Sequence, residues 1–136
     1  MQADEDIEAA VRAVLRAVND ALERRDLDGL LTLFASDPDV SLIGSEAGET
    51  AVGPSELRMF FEGLFARAGT FSFDWDSSTV SARGDIAWFV ADASTRYLEG
   101  QHVTEIPYRT TGILERQQDR WLLIHYHGSE PVPPQT

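Results

Sequence analysis

Cysteine is absent from this 136-residue chain, which excludes disulfides, thiolate metal sites and a cysteine nucleophile. Lysine is absent too: all 11 basic residues are arginines, so no lysine Schiff base can form. Positive charge is scarce altogether. The 11 arginines face 23 acidic side chains, a formal net charge of -12. Such a chain is repelled by phosphate backbones and anionic bilayers, which argues against nucleic acid or a membrane as partner. No apolar run approaches the ~18 residues of a membrane helix. The start, MQADEDIEAA, lacks the basic-then-apolar order of a secretion signal. A cysteine-free chain suits a reducing compartment, and a cytoplasmic location is expected.

Apolar residues make up 43% of the chain, enough for a globular core. The length fits one domain, expected over 1–130 with a loose Pro-rich tail at 131–136. Residues 4–25 carry Ile7, Val11, Val14, Leu15, Val18 and Leu22 at helical spacing. Asp26 is placed to cap a short second helix with Leu27, Leu30, Leu31 and Phe34 on its apolar face, and Pro38 helps to stop it. Residues 40–43 read as a short strand and 44–53 as a loop. Pro54 opens a third helix with Leu57, Phe60, Phe61, Leu64 and Phe65 as its stripe.

From Phe71 the period becomes two. Strands are predicted over 71–82, 86–98, 102–116 and 121–128, joined by tight turns. Helices followed by a strand meander imply an α+β fold, with helices on one face of a curved antiparallel sheet. In 86–97 one face carries Ala87, Phe89, Ala91, Ala93, Thr95 and Tyr97, the other Trp88, Val90, Asp92, Ser94 and Arg96. The small-residue face belongs under the helices. The Trp88 face is too apolar for one meant only for water, which points to a partner subunit and a homodimer.

RDLDGLLTLFASD (25–37), IGSEAGETAVGPSELRMFFEGLF (43–65), ARGDIAWFVA (82–91) and RTTGILERQQDRWLLIHYHGSEP (109–131) follow one another in an order that resembles the SnoaL-like branch of the nuclear transport factor 2-like superfamily. The terminal His-x-His-x-Ser and LRMFFEGLF also resemble the association domain of calcium/calmodulin-dependent protein kinase II. The resemblance implies a cone of three helices wrapped by a strongly bent sheet, a pocket at the wide end and frequent dimers. More distantly it reaches ketosteroid isomerase, whose chemistry needs a Tyr, a base Asp and a second, protonated Asp. Val18, Leu42 and Thr111 stand at those places here, so that mechanism does not carry over. Ala93, Thr104 and Gly128 stand where the association domain has pocket arginines.

His125 and His127, two apart on one strand, could share a metal ion, but a stable site needs a third or fourth ligand; the only other histidine is His102, with Asp92 and Glu105 as candidate carboxylates and no pattern that brings them together. No metal and no cofactor are expected. The pair could serve as acid–base groups, with Asp92 a further candidate, or simply bond to neighbouring strands. Arg96 and Arg109 could clamp a carboxylate, although the many acidic side chains offer protein partners. Phe61, Phe89 and Trp75 are aromatic candidates for core or pocket. Tyr97 and Tyr126 each bring a phenol to the inner face. Two functions are therefore expected: a pocket protein for an apolar or weakly polar small molecule, with lyase or isomerase chemistry left open, or a homo-oligomeric association module.

Overall fold

The computed structural model describes residues 3–131. Three helices, α1 (Glu5–Arg24), α2 (Leu27–Leu31) and α3 (Pro54–Phe65), pack on a six-stranded sheet of β1 (Ser41–Ile43), β2 (Thr50–Val52), β3 (Thr70–Arg83), β4 (Ile86–Glu99), β5 (His102–Gln117) and β6 (Arg120–Ser129). The sheet order is β2-β1-β6-β5-β4-β3. The expected α+β cone is found. No helix among the described residues is long and apolar enough to cross a membrane. The tail at 131–136 lies, apart from Pro131, outside the described residues.

Local chemistry sets the helix ends. Asp4 accepts the Ile7 N–H at 2.9 Å and Asp26 the Gly29 N–H at 3.0 Å, each satisfying a donor of a first turn. Arg25 leaves α1 in the left-handed region, at φ 55. Its guanidinium then donates to the carbonyls of Phe65, Arg67 and Gly69 and lies over the Phe65 ring. One residue thus ends α1 with its backbone and, with its side chain, binds carbonyls at the end of α3 and in the turn that follows it.

The core lies between α1 and the concave sheet face. Val11, Leu30, Val40, Ala87, Leu114 and Leu123 are wholly buried. The β4 phase is the expected one, with the alanine face inward and Val90 outward, 56% exposed.

Two features differ from the sequence reading. First, the sheet is mixed: β1 runs parallel to β6, Leu42 beside Tyr126. Second, β6 does not alternate throughout. Ile113 pairs with His125 and Leu114 with Leu123, so Ile124 is an extra residue. This bulge shifts the phase by one. Leu123 therefore faces the core, whereas alternation had put it with the histidines. Tyr126 stays inward, and His125 and His127 stay outward. A second bulge between Trp75 and Ser77 bends β3.

Candidate functional site

The sheet and the helices leave a cavity of about 100 Å³ between them. Val18 and Leu22 of α1, Phe34 beyond α2, and Phe60, Phe61 and Leu64 of α3 form the helical wall. Leu42, Thr95, Tyr108 and Tyr126 form the sheet wall, one from each of four strands, and Phe71 and Phe73 close the side. The mouth is charged, with Glu46 and Glu49 from the β1–β2 loop, Arg67 from the turn after α3, and Glu130 after β6.

Two phenols meet on the sheet wall. Tyr108 and Tyr126 are buried, and their hydroxyls lie 2.9 Å apart. Tyr108 reaches this position because Gly128 has no side chain: a Cβ there would overlap the Tyr108 hydroxyl. The Tyr108 ring is stacked on Phe73, 4.7 Å between centroids. Burial pushes both phenol pKa values up, and for Tyr108 the nearness of Tyr126 adds to this. Both are neutral hydrogen-bonding groups near pH 7. Thr110, whose hydroxyl donates to the His127 carbonyl at 2.9 Å, lies beside them. Thr95 is 7% exposed, and among the described residues its hydroxyl has no hydrogen-bond partner. A buried hydroxyl left unpaired costs about 1–3 kcal/mol. This one is on the cavity wall.

The candidates divide clearly. Phe61 and Tyr126 line the cavity. Phe89 is buried one layer behind it, its ring 6.4 Å from Tyr126 and packed over Gly112. Tyr97 faces inward but beyond the cavity's end: its hydroxyl accepts the Gly69 N–H at 3.0 Å and donates to Glu99 at 3.1 Å. Trp75 sits in a groove between α1 and β3 with Arg12 and Arg16, its indole N–H buried without a partner among the described residues.

Arg96 and Arg109 are on the outer face. They do not converge, because Arg96 pairs with Glu105 and Arg109 with Asp92 across the ladder. Arg96 meets the Glu105 carboxylate at 3.3 Å and Arg109 donates to the Ser129 hydroxyl at 3.2 Å. Asp92, His125 and His127 are also on that face, so no acid–base candidate from the sequence reaches the cavity. His125 forms a 2.8 Å hydrogen bond with Ser41 through Nδ1, and burial, then His127, holds its pKa below the usual histidine value. His102 opens β5 beside Glu99, remote from the pair. Among the described residues no three potential metal ligands come together.

Of the positions compared with ketosteroid isomerase, Val18 and Leu42 do line the cavity, as apolar groups. Thr111 faces outward, exposed. Its neighbours Thr110 and Gly112 face inward, with Tyr108 and Leu114 on the same side of β5.

The SnoaL-like domain profile matches residues 11–133. The chain belongs to the SnoaL-like domain family. Solved structures agree on the fold. A nuclear transport factor 2-like superfamily protein from Salmonella enterica serovar Typhimurium has a TM-score of 0.85 at 14% identity, covering 98% of this chain and 96% of its own. A candidate dehydratase of the NTF2-like family from Streptomyces avermitilis gives 0.84 at 21%, covering 96% and 100%. A candidate calcium/calmodulin-dependent protein kinase type II association domain from Thiobacillus denitrificans gives 0.72 at 18%, covering 89% and 94%. Identities this low establish a shared fold only. No curated protein matches this chain.

Proposed function

We propose that this SnoaL-like protein binds one small, apolar or weakly polar molecule in the cavity between helices and sheet. The observation that carries this reading is the Thr95 hydroxyl, buried on an otherwise mostly aromatic and aliphatic wall and unpaired among the described residues. A ligand oxygen or nitrogen at that spot would satisfy it. The volume is below the roughly 150 Å³ of an apolar cavity that holds benzene, so a ring would fit with part of the ligand extending into the mouth.

If chemistry occurs there, the neutral Tyr108–Tyr126 pair is the hydrogen-bond donor to a carbonyl oxygen, and the mouth carboxylates are the bases within the cavity's lining. That arrangement would serve a lyase or isomerase step, in line with the dehydratase designation of the Streptomyces relative. Thermal-shift screening with ring-sized ketones and alcohols tests binding. A hit should raise Tm, and Thr95→Val should weaken it by about 0.5–1.5 kcal/mol, the net value of one hydrogen bond, without destabilising the empty protein. A library that leaves Tm unchanged throughout would count against the cavity as a ligand site.

We also propose that two copies pair through the outer sheet face. Val90 and Ile113 are 56% and 36% exposed there, beside half-buried Trp88 and Ile124, and the association-domain likeness favours an assembly. Light scattering at micromolar concentration should give a two-chain species, and Val90→Arg should dissociate it. A monomer persisting to about millimolar concentration, where ~4 kcal/mol of association would register, would exclude the pairing.

A further inference from the structure

We infer that the cavity selects a cationic ligand: a small amine whose apolar body enters between α3 and the sheet while its ammonium group stays at the mouth. This rests on the ligand-pocket reading and adds the charge of the occupant to it.

The mouth has more carboxylates than cations. Arg67 is the single guanidinium among its lining residues, and it is committed to Glu46 at 3.0 Å and Glu49 at 3.7 Å. Those bonds keep its pKa raised and leave Glu46 and Glu49 sharing one positive charge. Glu130, across the opening, takes a hydrogen bond from the Ser45 hydroxyl at 3.0 Å and joins none of the ion pairs among the described residues. An entering anion meets this net negative rim. An entering cation is attracted both by the rim and by the chain's overall charge of -12.

The walls act in the same direction. Phe60, Phe71, Phe73 and Tyr108 are among the cavity's lining residues. Ring faces attract ammonium groups, most strongly where water is excluded. Phe71 already holds one cation in this manner, with the Arg67 guanidinium 5.8 Å from its centroid. The acidic rim does not stand alone: the cavity wall also holds the unpaired, 7%-exposed Thr95 hydroxyl, which a second polar atom on the body of the amine, away from the ammonium, would meet.

The test uses the whole chain and three probes with one ring and different charge: benzylamine, benzyl alcohol and benzoate. Binding is read at pH 7.5 by titration calorimetry and by chemical-shift changes at Thr95 and Tyr108. Benzylamine should bind about tenfold more tightly than benzyl alcohol, a difference of ~1.4 kcal/mol, and benzoate more weakly than either. Glu130→Gln keeps an acceptor for Ser45. It should lower benzylamine affinity about threefold and leave benzyl alcohol unchanged, with added salt narrowing the gap in the wild type. Equal binding of amine and alcohol, or a preference for benzoate, overturns the cation inference and leaves the pocket standing. Shifts at neither Thr95 nor Tyr108 with any probe would remove both.

Discussion

Phe61→Ala is expected to lower folding stability by about 3–5 kcal/mol, the usual cost of truncating a buried phenylalanine. Phe61 is 5% exposed and its ring lies 5.7 Å from Phe34 and 5.2 Å from Phe60, centroid to centroid. Removing it loses contacts with Phe34 beyond α2 and with Phe60, and merges the vacated space with the existing cavity. The urea midpoint measures the loss. The same variant should accept a larger ring than the wild type does, because the added volume opens onto the ligand space. A stability change below about 1 kcal/mol would mean that the ring is not packed as described.

Gly128→Ala is the second large effect, expected to cost about 2–4 kcal/mol by combining overpacking with a stranded hydroxyl. The new methyl group would occupy the place of the Tyr108 hydroxyl. Tyr108 would have to turn away, giving up its 2.9 Å bond to Tyr126 and its stacking on Phe73. Ligand binding should fail together with stability, since the sheet wall is rebuilt. Gly63→Ala is the internal control. That position is in α3 with nothing within 4 Å of an added Cβ, so alanine should leave stability unchanged or raise it by up to about 1 kcal/mol through helix propensity. Similar denaturation curves for Gly128→Ala and wild type would show that Tyr108 does not rest on Gly128.

The Tyr126 hydroxyl is bonded to another side chain 18 residues earlier, so Tyr126→Phe affects the protein as well as any ligand.

Much of the architecture is legible in the chain because its causes are local. Asp4 and Asp26 cap the helices that begin beside them, Pro54 opens α3, and the alternation from Ala87 to Thr95 sets the inward face of β4. Net charge and the missing cysteine and lysine likewise belong to the sequence by itself, and so do the thiol and lysine chemistries that those absences exclude. The cavity has a different origin. Thr95, Tyr108, Tyr126 and Leu42 come from four strands, and no periodicity within one strand indicates which residues of the next will stand beside it. The sequence brings forward Tyr97 and does not single out Tyr108. Tyr97 lies past the cavity's end, bonded to Gly69 and Glu99, while Tyr108 is drawn in by the vacancy over Gly128. The bulge at Ile124 separates Leu123 from the face that alternation assigned to it. The parallel pairing of β1 with β6 joins segments about 84 residues apart and brings Ser41 to His125. Hydrophobic pattern specifies which face of an element is buried. Register, bulges and close approaches between distant strands decide which buried groups meet, and those depend on the packed whole.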